Sequence, residues 1–112
     1  MADPLTDALN VLIALCPHIR ATRDLVTKIR VELDRGYALE LYFRETTGQY
    51  SYTVLLNNQR VLGWDNARHH LELSNAPHHF HAASGEAVSS PLTGDPVEDM
   101  RLVAERINAL FE

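Results

Sequence analysis

Between Lys28 and Asp65 the apolar residues recur at every second position in four successive runs, a period that suits a half-buried strand and not a helix. In "KIRVELD", Ile29, Val31 and Leu33 alternate with Lys28, Arg30, Glu32 and Asp34. Arg35-Gly36 supplies a turn, and "YALELYFR" then brings Tyr37, Leu39, Leu41 and Phe43 onto one face. After the turn-forming "ETTGQ", the run "YSYTVLL" groups Tyr50, Tyr52, Val54 and Leu56, and "NNQ" reverses the chain into "RVLGWD". The spacing predicts a four-stranded antiparallel meander over residues 25–65.

A sheet with one apolar face needs a cover, and two stretches can provide it. "ADPLTDALNVLIALCPH" carries Asp3 as a cap and Pro4 as a first helical residue, then Leu5, Leu9, Leu12, Ile13 and Cys16 at helical spacing before Pro17 stops it. "GDPVEDMRLVAERINALFE" has Asp95 to cap, Pro96 to start, Glu98 for a capping box, and a stripe of Val97, Met100, Val103, Ile107, Leu110 and Phe111. The expected fold is therefore a two-layer α+β sandwich in one domain, residues 1–112. Its parts are a helix over 3–16, the sheet, a histidine-rich loop over 66–93 and a helix over 95–111.

With 46% hydrophobic and 22% charged residues, the chain has the composition of a folded protein. The formal charge of −5 means that attraction to phosphate must come from a local basic face and not from the whole molecule. Cys16 is the lone cysteine, which excludes an internal disulfide, and its apolar helical position reads as a core thiol. The longest apolar run, "VLIALC", is too short to span a bilayer, and the start lacks a basic-then-apolar leader; a cytoplasmic location is the expectation, with no membrane partner.

The chemistry concentrates in "WDNARHHLELSNAPHHFH", Trp64 to His81, which holds five of the 6 histidines. If "HHFH" is extended, His79 and His81 point to one side about 7 Å apart at Cβ, and His78 points to the other. If "DNARHH" makes a helical turn, Asp65 and His69 share a face, as do Asn66 and His70. Two chemistries follow. Imidazoles of His69 or His70 with His79 and His81, and Asp65 as an oxygen donor, could hold zinc, manganese or iron. Alternatively, two histidines could act as general base and general acid at a phosphodiester while Asp65 sets a tautomer.

Against both stands a structural cluster: histidine pairs in loops often cap turns or face solvent, and no H-E-x-x-H pattern is present. His18 reads as facing the last carbonyls of the first helix. Tyr37, Tyr50 and Tyr52 share the face of Leu39, Leu41 and Val54 and read as core before they read as a stacking platform. Lys28, Arg30, Tyr42 and Arg44 form a modest cationic patch on the opposite face, diluted by Glu32 and Glu40.

The order of features in "YSYTVLLNNQRVLGWDNARHHLELSNAPHHFH" resembles the TumE family of toxins from type II toxin–antitoxin pairs. An aromatic-rich strand pair runs into an Asp-Asn dipeptide, then a His-His pair, then Pro-His-His-x-His; here these are Asp65, Asn66, His69, His70, Pro77, His78, His79 and His81. The resemblance implies a growth-inhibiting cytoplasmic toxin, neutralised by an antitoxin with a DNA-binding helix-turn-helix. Joined to the cluster, it points to an RNA-cleaving hydrolase with Asp65, His69, His70, His79 and His81 as catalytic candidates. Candidate metal ligands are His79, His81, His69 and Asp65. The rival is a non-enzymatic module whose histidines bind a metal or a partner, and a free sheet edge leaves room for a homodimer.

Overall fold

The computed structural model describes residues 3–112. Helix α1 (Pro4–Leu15) is followed by strands β1 (Ile19–Asp24), β2 (Ile29–Leu33), β3 (Tyr37–Arg44), β4 (Gln49–Leu56), β5 (Gln59–Asp65), β6 (His79–His81) and β7 (Ala87–Ser89), then helix α2 (Pro96–Ala109). Among the described residues the sheet has seven strands in the order β1 to β7, each antiparallel to the next. The α+β class is as expected, but four strands become seven.

The three additional strands have physical reasons for being hard to read. β1 is an edge strand with an irregularity between Ile19 and Ala21, and it is exposed from Arg20 onward, so no alternation marks it. β6 and β7 are three residues each, too short to carry a period, and they fall inside the stretch expected to be loop. Pairing to β5 makes them strands: Trp64 lies opposite Phe80 and Asp65 opposite His79. The turns fall where the sequence puts them. Asn57 and Asn58 both take positive φ between β4 and β5, the backbone that a two-residue hairpin needs and asparagine tolerates.

Strand parity divides the sheet into two unlike faces. Val31, Leu33, Leu39, Leu41, Tyr50, Tyr52, Val54, Leu62 and Trp64 are buried against Leu5, Ala8 and Leu12 of α1 and Met100, Val103 and Ile107 of α2. Each fully buried aliphatic side chain there contributes about 1.5–3 kcal/mol relative to exposure. Ile13, expected on the apolar stripe of α1, is half exposed; Ala8 takes the buried position instead. The other sheet face has no helix on it and carries Arg30, Glu32, Glu40, Ser51, Thr53 and Asp65.

Two capping details differ from expectation. The Asp3 carboxylate accepts from the Thr6 hydroxyl and makes no cap bond to the backbone. At α2 the Asp95 side chain accepts from the N–H groups of Val97 and Glu98 as expected, but Asp99 and not Glu98 reaches back. Buried Asp99 accepts from Thr93 N at 2.8 Å, Thr93 Oγ1 at 3.0 Å and Gly94 N at 2.8 Å, which locks the segment entering the helix. His18 lies on the Phe111 ring at 4.2 Å and faces Asp34, not the carbonyls of α1.

Candidate functional site

Asp65 ends β5 on the open face, one residue after Trp64 enters the core. Its register partner is His79, and His81 lies opposite Gly63, so β6 presents both imidazoles beside the carboxylate. His79 Nε2 is 2.9 Å from Asp65 Oδ1, and His81 Nε2 is 3.0 Å from Asp65 Oδ2. Oδ1 also accepts from the Ala67 N–H at 3.0 Å, which turns the chain sharply out of the strand. Gly63 matters to this packing: a Cβ there would stand 2.9 Å from the Tyr52 carbonyl oxygen, so only glycine lets β5 lie this close to β4.

His79 is 1% exposed although it belongs to the uncovered face. The segment from Asn66 to His78 folds over it. This segment makes turns and no helix, and it brings His70 to 5.0 Å from His79 and 6.2 Å from His81, ring to ring, with His69 at 6.4 Å from His79. His79 and His81 pair with Asp65, and the rings of His70 and His69 stand beyond His79. The pairing of Asp65 with His69 on a helical face does not occur; the route is a folded loop, pinned at both ends by asparagine amides. Asn66 Oδ1 accepts from Tyr50 N and its Nδ2 donates to Gly48 O, while Asn75 Nδ2 donates to the carbonyls of Ser90 and Leu92. Asn75 was not singled out from the sequence; its signal is an asparagine in a turn segment, and here it takes positive φ.

His78 turns to the helix side of the strand. Its Nδ1 is 2.9 Å from the Tyr50 hydroxyl and its ring stacks on that tyrosine. Burial, with Asp99 and Asp65 adding negative charge, pushes the Tyr50 phenol well above its ordinary value, so it is a neutral hydroxyl and a structural partner.

A carbonyl only accepts, so His79 Nδ1, 3.0 Å from Pro77 O, carries a hydrogen and donates it. In a neutral ring that leaves the Nε2 lone pair facing a carboxylate oxygen at 2.9 Å, and such a pair needs a proton or a cation between its members. An N–H bonded to a backbone carbonyl is also the usual way a ligating histidine is oriented. Asp65, His79 and His81 each offer a ligand atom, all within 4.8 Å of one another, and the mixed nitrogen and oxygen set suits zinc, manganese or iron. His69 is not one of these three converging groups.

Burial pushes the His81 imidazole below its ordinary value; Asp65 pulls the other way, while His79 and Arg60 add to the lowering. Cys16 is buried and its thiol is held high chiefly by that burial, which removes it from any nucleophilic role. The cationic patch also changes meaning. Lys28 bonds Glu40 at 3.0 Å, and Arg30 bonds Glu32 at 2.7 Å and Glu40 at 3.1 Å, so two of its three cations are already matched and exposed Arg44 is not.

A family model described as Toxin TumE matches residues 9–110, from α1 through α2. The chain belongs to the TumE toxin family. Membership extends the resemblance from the strand-and-histidine segment to nearly the whole chain and implies an antitoxin partner. No curated protein and no solved structure shows a significant match. No helix among the described residues is long and apolar enough to cross a membrane.

Proposed function

We propose that this TumE-family toxin is an RNA-cleaving hydrolase whose centre is Asp65, His79 and His81, with His70 and His69 at its mouth. The observation that carries the reading is the convergence of two imidazole Nε2 atoms on the two oxygens of one carboxylate, at 2.9 and 3.0 Å, under a loop that adds two further imidazoles. Asp65, His79 and His81 would hold a divalent ion, which when bound supplies positive charge to a phosphate and a more acidic water.

The protein groups divide the remaining work by exposure. Buried His79, tied to Pro77 O, orients Asp65 and meets no substrate. His70 is half-buried at the rim, near Glu72, and His69 is exposed, so these two can take a proton from the attacking oxygen and return one to the leaving oxygen. The cognate antitoxin, read as a helix-turn-helix protein, would silence the centre, and a homodimer through a free sheet edge is compatible with the fold.

The test is purified protein against RNA, with Asp65→Asn and the double change His79→Ala and His81→Ala. Both variants should keep the far-UV spectrum of the parent yet lose RNA cleavage and growth inhibition. Toxicity that survives either change in a folded protein rejects the catalytic reading. A fold that melts earlier with chelator but never cleaves RNA favours a structural metal or partner site instead.

A further inference from the structure

Beside the histidine cluster lies a cleft of about 520 Å³, lined by Thr47 and Gln49 at the start of β4 and by Asn66, Arg68, His69 and Pro77 of the loop. We infer that it is the subsite for the nucleotide adjoining the scissile phosphate of single-stranded RNA, with Arg68 on phosphate and Gln49 on the base; this rests on the RNA-cleaving reading above.

Size, charge and free valence support the assignment. The volume falls within the range of small-ligand clefts, roughly 300–1,000 Å³. The chain carries a formal charge of −5, yet no carboxylate is among the cleft's lining residues. Arg68 is exposed and, like Arg44, Arg60 and Arg101, makes no side-chain hydrogen bond or ion pair among the described residues; of these four it is the one that lines the cleft. The Gln49 side chain is likewise unpartnered, and an amide can both donate to and accept from a base edge. Asn66, by contrast, is spent on Tyr50 N and Gly48 O and forms a rigid wall.

His69 gives the cleft its relation to the centre. It lines the cleft and its ring stands 6.4 Å from that of His79, so a ligand seated there touches one imidazole and lies one ring away from the buried centre. A single strand can place an unstacked base in such a recess; a duplex cannot.

The experiment titrates adenosine 5′-monophosphate, and separately inorganic phosphate, into the full chain while backbone amide signals are followed by NMR. The nucleotide should move the signals of Gln49, Asn66, Arg68 and His69 and bind about tenfold or more tightly than phosphate. Arg68→Gln should weaken nucleotide binding roughly tenfold or more, as loss of a charge-assisted hydrogen bond requires, with melting temperature retained. Gln49→Ala should narrow the preference among the four nucleoside monophosphates. No saturable nucleotide binding, shifts confined to other residues, or an Arg68→Gln variant that binds as tightly as the parent would each overturn the subsite. Cleavage is scored separately: nucleotide binding without RNA cleavage keeps the subsite and removes the hydrolase, and cleavage without nucleotide binding does the reverse.

Discussion

The uncovered face of the sheet holds two polar clusters with opposite endings. Toward β2 and β3, Lys28, Arg30, Glu32 and Glu40 pair off at 2.7 to 3.1 Å, each charge met by its opposite. Toward β5 and β6, one carboxylate faces two imidazoles, His79 Nε2 is 2.9 Å from Asp65 Oδ1, and the rings of His70 and His69 stand beyond His79. The first cluster matches two positive charges with two negative ones; in the second, two imidazoles and one carboxylate bring three ligand atoms within 4.8 Å of one another. A set of matched charges serves the fold, and one in which metal-ligand atoms converge can also take up an ion.

The sharpest way to break this contrast is to neutralise one carboxylate in each cluster. Asp65→Asn should reduce RNA cleavage by about 10² to 10⁴-fold in a protein that still folds, whereas Glu40→Gln should leave cleavage unchanged. Equal activity of both variants would mean that the two clusters do not differ in kind. Next in size is metal removal. If Asp65, His79 and His81 hold an ion, saturation at a hundredfold over Kd stabilises the fold by about 2.7 kcal/mol, seen as a melting shift that chelator erases. A melting curve indifferent to chelator, in parent and Asp65→Asn alike, would confine the cluster to acid-base work.

A smaller effect is expected at the loop clamp. Asn75→Ala removes two hydrogen bonds, to Ser90 O and Leu92 O, and should destabilise by roughly 1–2 kcal/mol. Because that clamp holds the loop and not the sheet, hydrogen exchange should accelerate from Asn66 to His78 while β3 and β4 stay protected; uniform acceleration would contradict the assignment.

The smallest effect belongs to the paired cluster. Burial alone would raise the Glu40 carboxyl, but hydrogen bonds and positive charge from Lys28 and Arg30 together hold it below its ordinary value of 4.5. A lowered carboxyl contributes stability that is present above its unfolded value and is lost as pH falls through the folded one. Glu40→Gln should therefore flatten the stability profile below about pH 4.5, by less than about 1 kcal/mol. A steeper acid limb in the variant would reverse the sign and sink the argument.

Much of this was legible in the chain. Alternation over β2 to β4 named most of the apolar face, with Leu56, past the register shift at Leu55, falling outside the core, and the Pro-started helices read cleanly at both ends of the chain. His79 and His81 on one side, with His78 on the other, follow from strand parity. What could not be read was the membership of β6 in the sheet, since three residues have no period of their own. Nor could the sequence reveal that Asp99 replaces Glu98 in reaching back from α2, because that depends on how Thr93 and Gly94 approach the helix.

By itself, the sequence determined the two-faced sheet, its helical cover and the residue types available for chemistry, because periodicity and turn propensity act over a few residues. Tertiary structure alone decided that Asp65 lies opposite His79, that His69 and His70 fold over the pair, and that Arg68 stands free while Arg30 does not. The contacts that fix the site join residues 9 to 17 positions apart, from His70 with His79 to His81 with Asp65 and Asn75 with Leu92. They are set by strand register and two asparagine clamps, and no local pattern encodes a distance across them.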